Sequence, residues 1–188
     1  MKKLAGLVFG IAVSALTVAS DGALAATECN GVLSGTIVGG VVVNSGDFCV
    51  LGGANVSGGV RVNAGGILVA CASTISGGLI SNDAANLLIG AGADEEVPPV
   101  NFTCPGNVIN GAVRLSNTGP GVLSPAPSIA IERTVVNGAV HLTGNQGPIV
   151  VASDVIAGGL FCANNAFALD DEGSTNAITG AIRCEFGE

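Results

Sequence analysis

The chain has 188 residues, 30 of them glycine, with no Trp, no Tyr and a formal net charge of −8. That length suits one domain with a core of its own, and the acidic balance disfavours nucleic acid and anionic membrane as general partners. Glycan-processing grooves commonly use Trp and Tyr rings as platforms, so their absence argues against a sugar-processing enzyme, and the glycines follow no collagen period.

Lys2 and Lys3 precede an apolar run from Leu4 to Ala19, followed by Ala23-Leu24-Ala25. This is the plan of a secretory signal peptide over 1–25, cleaved before Ala26. The run is short for a bilayer, so no membrane span is expected after cleavage. No lipobox-like residues precede Cys29. Both lysines and Asp21 fall in the leader, so residues 26–188 are more acidic still. All 6 cysteines lie in 26–188, and an even number after a leader reads as three disulfides formed in an oxidising compartment.

A seven-residue pattern then recurs: apolar, any, Gly, Gly or Ala, apolar, any, usually apolar. Its anchoring glycines are Gly39, Gly58, Gly77, Gly111, Gly138, Gly158 and Gly180, at steps of 19, 19, 34, 27, 20 and 22 residues. Two before the anchor stand Ile37, Val56, Ile75, Ile109, Val136, Ile156 and Ile178. Two after it stand Val41, Val60, Leu79, Val113, Val140, Leu160 and Ile182. Alternation with period two marks strands with one buried face, and β-branched types suit a pleated, packed surface. The copies repeat in one direction, where hairpins would reverse. The spacing therefore predicts a right-handed parallel β-helix of seven to eight rungs over 26–188, each rung stacked about 4.8 Å above the last. A left-handed hexapeptide coil wants 18-residue rungs, which these steps fit poorly. Phe48–Leu51 and Ile67–Ala70 supply further apolar strands. Asn44, Asn63 and Asn82 each sit five residues after an anchor, where left-handed backbone is expected.

The two long steps predict inserted surface loops near 83–107 and 116–132, leaving the rod close to one corner. The first carries Asp94-Glu95-Glu96-Val97-Pro98-Pro99; the second carries Gly119-Pro120 and Ser124-Pro125-Ala126-Pro127.

Stacking also selects among the cysteine pairings. Cys162 and Cys184 each follow an anchor by four residues, Cys29 and Cys49 lie one rung apart, and Cys71 and Cys104 precede their anchors by six and seven. The predicted disulfides are therefore Cys29–Cys49, Cys71–Cys104 and Cys162–Cys184. With no Cys-x-x-Cys and 1 histidine, these cysteines make a poor metal site.

The apolar-x-Gly-x-apolar rungs resemble those of bactofilins and other right-handed parallel β-helix proteins. The tail, Gly158-Gly159-Leu160-Phe161-Cys162-Ala163-Asn164-Asn165 and Asn176-Ala177-Ile178-Thr179-Gly180 to Cys184, resembles a closing block of uncharacterised exported bacterial β-helix proteins. The resemblance covers nearly all of 26–188 and implies the fold. It implies little about function, since one fold hosts many roles. Bactofilins polymerise in the cytoplasm, and this chain differs from them in its leader and cysteines. Pectate-lyase-like enzymes share the fold, but their clustered acids, calcium and basic groups find no counterpart here.

The outward position three after each anchor holds Val42, Arg61, Ile80, Arg114, His141, Phe161 and Arg183. If rungs stack in register, Arg61, Arg114, His141, Phe161 and Arg183 form one cationic and apolar stripe on an acidic rod. Such a stripe fits an anionic glycan or an acidic envelope protein; the alternative is that exposed strand positions simply favour long side chains. The runs Asp94–Glu96 and Asp170–Glu172 lack calcium-loop spacing, and nothing brings them together as a glycosidase pair. His141 has no serine or cysteine in a known catalytic arrangement, and the glycine pairs lead into no phosphate-binding helix. No catalytic residue, cofactor or metal is expected. The expected function is an exported, non-enzymatic structural or interaction protein, a disulfide-stapled scaffold of the envelope or medium. The alternatives are a carbohydrate-active β-helix enzyme and a filament self-associating through the rod ends, where strand edges stay unpaired.

Overall fold

A computed structural model describes residues 25–90, 104–123 and 126–187. Within them every regular element is a β-strand and every strand pairing is parallel. The chain is a parallel β-helix.

Each circuit of the coil passes through three faces. The first face stacks eight strands: Thr27–Glu28, Val41–Val43, Val60–Val62, Leu79–Asn82, Val113–Ser116, Val140–Thr143, Leu160–Ala163 and Ile182–Arg183. The second contains Ile67–Cys71, Asn86–Ile89, Ile129–Glu132, Ile149–Ala152 and Leu169–Asp170. The third contains Thr74–Ile75, Val108–Ile109, Val135–Val136, Val155–Ile156 and Ala177–Ile178. Two long early strands, Gly31–Ile37 and Phe48–Val56, run through both the second and third faces, with a register shift between Leu33 and Gly35 marking the bend.

The two predicted apolar columns are in strict register. Val41, Val60, Leu79, Val113, Val140, Leu160 and Ile182 pair in succession on the first face. Ile37, Val56, Ile75, Ile109, Val136, Ile156 and Ile178 do so on the third. Both columns are buried in one continuous core, except at the last rung. There Ile178 is half-buried and Ile182 is 53% exposed, since no described strand covers them.

From Phe48–Val56 to Ile149–Ala152 the second-face strands are largely buried on both sides, which is why they read as apolar runs; at the two ends of the face the outward Val32 and Asp170 are exposed. Their inward residues join the main core. Their outward residues Val50, Val69, Leu88, Ala130 and Val150 form a second cluster with Leu123 and Ala126.

The corners differ in what they tolerate. From third face to first, the link is always three residues and contains the anchor glycine. A Cβ on Gly138 would lie 2.7 Å from Gly111 O and Ala112 N, and one on Gly180 would lie 2.6 Å from Gly158 C. Gly58, Gly77, Gly111, Gly158 and Gly180 each donate an N–H to the anchor one rung below, at 2.7–3.1 Å. The glycines are therefore required by close backbone approach. Of the seven anchors only Gly39 has positive φ.

Four expectations need correction. Asn44, Asn63 and Asn82 are not left-handed. Their side chains stack instead, with Asn63 Nδ2 donating to Asn44 Oδ1 at 3.1 Å and Asn117 Nδ2 to Asn82 Oδ1 at 2.9 Å. Left-handed backbone falls on Ala72, Arg133 and Ser153 after the second face, and on Asp83, Asn117 and Asn164 after the first. The insertions are narrower than 83–107 and 116–132, because Asn86–Ile89 and Ile129–Glu132 belong to the ladder. They also leave from different corners: the first interrupts the second-to-third link after Gly90, the second occupies 117–128 between first and second faces. The run Asp94–Glu96 lies outside the described residues. Finally, the described part of the second insertion, 117–123 and 126–128, is not thrown outward. Asn86 Oδ1 accepts from Val122 N (2.7 Å) and Leu123 N (3.1 Å), Asn86 Nδ2 donates to Pro127 O (2.9 Å), and Leu123 and Ala126 lie on the second face.

The three disulfides pair as predicted, with Cα–Cα distances of 5.4 Å for Cys29–Cys49, 5.2 Å for Cys71–Cys104 and 4.9 Å for Cys162–Cys184. Cys49 is in register with Gly31, so the first bridge crosses a corner and does not join two aligned positions.

Replacing Gly138 with alanine should destabilise the fold by roughly 1–3 kcal/mol through overpacking. Gly52→Ala, where nothing lies within 4 Å of the new Cβ, should change stability by about 0.5 kcal/mol or less. Denaturant unfolding of the two variants measures the contrast.

Candidate functional site

The outward residues of the first face form one column. Val42 is paired with Arg61, Arg61 with Ile80, Ile80 with Arg114, Arg114 with His141, His141 with Phe161, and Phe161 with Arg183. The strand pleat that sends Val60, Leu79 and Val113 inward sends these neighbours outward. The register thus brings Arg61, Arg114, His141, Phe161 and Arg183 together along the rod, one side chain per rung.

The three arginines are exposed, and His141 and Phe161 are half-buried. The His141 and Phe161 rings stack with centroids 5.0 Å apart and an interplanar angle of 19°. Offset stacking of this kind fixes both rings against the sheet. The order along the column is therefore Arg114, two stacked rings, Arg183. Beside it runs a second outward column, Asn44, Asn63, Asn82, Ser116, Thr143 and Ala163. Ser116 Oγ donates to Asn82 Oδ1 at 3.1 Å. Between the columns lies a shallow depression of about 480 Å³, lined by Ile80, Asn82, Arg114, Ser116, His141 and Thr143.

The charge on this face is one-sided. From Val41–Val43 to Ile182–Arg183 its strands contain no carboxylate; only Glu28, aligned with Val42, lies in the first strand. Among the described residues Arg61, Arg114 and Arg183 form no ion pair. Arg133, the remaining arginine, lies at the second-to-third corner, where Nη2 meets Glu132 Oε2 at 3.3 Å and donates to Gly90 O at 3.0 Å. Its role there is structural.

The second acidic run holds its own turn together. Glu172 N donates to Asp170 Oδ1 at 2.8 Å, and Gly173 N to Asp171 Oδ1 at 3.0 Å. Among the described residues no three His, Cys, Asp or Glu side chains converge as a metal site.

Sequence reasoning missed two internal polar ladders. Four residues before successive anchors stand Ser73, Asn107, Thr134, Asp154 and Asn176; seven after stand Thr118, Asn145 and Asn165. All are buried or half-buried in the corners. Thr134 N donates to Asp154 Oδ1 at 2.7 Å and Thr118 N to Asn145 Oδ1 at 3.0 Å, so Asp154 and Asn145 each satisfy a backbone N–H one rung below. The signal was a small polar residue four before the last five anchors and seven after Gly111, Gly138 and Gly158.

No protein-family model, curated protein or solved structure matches the chain.

Phe161→Ala should leave global stability within about 1 kcal/mol of wild type, because the ring stands outside the core. The adjacent inward Leu160→Ala, at a fully buried site, should cost roughly 2–5 kcal/mol. Comparable losses for the two would contradict the assigned orientation of this face.

Proposed function

We propose that the chain is an exported, non-enzymatic interaction scaffold whose first face binds an acidic glycan of the cell envelope or medium. The observation that carries this is the column itself: Arg61, Arg114 and Arg183, unpaired with any described carboxylate, aligned with stacked His141 and Phe161 on one face of a chain of net charge −8. Guanidinium groups recognise carboxylates and sulfates through paired hydrogen bonds. The ring pair offers an apolar surface to a sugar ring between two such contacts. An acidic protein segment would use the arginines but gains less from the rings, so the glycan is the favoured partner.

Two features support export. The first is the signal-like leader with its small-residue cleavage site. The second is that all six cysteines are bridged, which suits an oxidising compartment. In this reading the rod is a stiff support that holds the face in one geometry.

The test is retention on immobilised polygalacturonate at low salt, comparing wild type with the triple variant Arg61→Gln, Arg114→Gln, Arg183→Gln. The wild type is expected to bind and to elute as salt screens the contacts, while the triple variant, folded and with unchanged far-UV dichroism, flows through. Equal behaviour of the two proteins rejects the binding face.

A further inference from the structure

Four asparagines at the corners repeat one bonding pattern. Each accepts through Oδ1 from the backbone N–H of the aligned residue one rung below. Each donates through Nδ2 to the carbonyl three residues before that N–H. Asn107 accepts from Ser73 N (3.0 Å) and donates to Ala70 O (2.9 Å). Asn145 accepts from Thr118 N (3.0 Å) and donates to Leu115 O (3.3 Å). Asn165 accepts from Asn145 N (3.0 Å) and donates to Leu142 O (3.0 Å). Asn176 accepts from Asp154 N (2.9 Å) and donates to Val151 O (2.7 Å).

Asp154 occupies the same place with half of the pattern. Its Oδ1 accepts from Thr134 N at 2.7 Å. The carbonyl three residues before Thr134 belongs to Ile131, which is in register with Val151 and, through Ile89, with Ala70. Asp154 Oδ2 is buried without a hydrogen-bond partner, in a residue that is 1% exposed. A carboxylate there would set an acceptor against the Ile131 acceptor; a carboxylic acid supplies the missing donor. We infer that Asp154 is held as a neutral acid that imitates asparagine, its Oδ2–H donating to Ile131 O, so that this corner of the coil is locked by a proton and loosens when the proton leaves.

The surroundings agree. Burial raises the Asp154 pKa from 3.8 to about 8, against the lowering effect of the Thr134 N–H; Glu132 adds to the rise and Arg133 opposes it. Glu132 and Arg133 are themselves paired at 3.3 Å. From the rung above, Asn176 meets Asp154, while Asp170 and Asp171 of that circuit accept hydrogen bonds within their own turn. The sign follows. An acid with a raised pKa in the fold stabilises it fully near the unfolded value of 3.8, and that stabilisation is lost as pH rises through about 8. This runs opposite to an exposed, ion-paired carboxylate.

The experiment is thermal unfolding of the oxidised full chain across pH, with guanidinium added to bring the transition into range. Wild type should lose roughly 5–10 °C of Tm between about pH 5 and about pH 9. Asp154→Asn supplies the amide that the four asparagines use, so its Tm should change by less than about 2 °C over that window and exceed wild type at the alkaline end. A wild-type Tm flat with pH, or a parallel fall in Asp154→Asn, overturns the inference. Carbon-13 NMR of the Asp154 carboxyl gives an answer independent of the variant's folding: a midpoint near 8 is expected, and one in the ordinary aspartate range refutes it.

Discussion

The structure depends on one close approach. At the link from third face to first, each anchor glycine from Gly58 onward lies against the anchor glycine of the rung below, at distances that exclude even a methyl group. This contact fixes the position of every circuit relative to its neighbour. It also explains where the chain varies. The glycine link stays at three residues in every circuit, while the other two links range from none, where Gly31–Ile37 and Phe48–Val56 run through the bend, to the long insertions after Gly90 and across 117–128. A loop of any length can leave at those corners, because the next glycine restores the register. The apolar columns then fall into place without further instruction, and burial of the Val, Ile and Leu side chains within them supplies the main cohesive energy.

Much of this was legible in the residues. Period-two alternation about each glycine defined both columns, and the structure places Val60, Leu79 and Val113 in successive register as the pattern required. The same spacing selected the three disulfides. What was not legible depends on neighbours distant in sequence. Asn86 looks like a loop residue until it is seen holding Val122, Leu123 and Pro127. Asn63 looks like a left-handed turn residue, yet amide-to-amide stacking along the rod is the better use of its side chain. Asp154 looks like a solvated acid, since nothing local in sequence reveals that its side chain takes the corner position that Asn107 and Asn176 take in other rungs. Ile182 looks like a core residue, and its exposure follows from being on the last described rung.

The candidate face is a by-product of the same register. A strand that buries every second residue must present the others, and a coil that stacks strands must present them in rows. Three arginines and a stacked His141–Phe161 pair, on strands whose one carboxylate is Glu28 of the first, form a row with a chemical character. The rigid support matters because side chains held at fixed spacing lose less freedom on binding than those on a mobile loop. The two internal ladders contribute to that rigidity, since they satisfy corner backbone groups that the sheets cannot reach.

The most direct test of the stacked coil is a set of methyl–methyl nuclear Overhauser contacts on the folded, oxidised protein. The coil predicts strong contacts linking Val60 to Leu79 and Leu79 to Val113, residues far apart in the chain but adjacent in the ladder. Their absence, with contacts confined to residues close in sequence, would contradict the fold and, with it, the alignment of Arg61, Arg114, His141, Phe161 and Arg183.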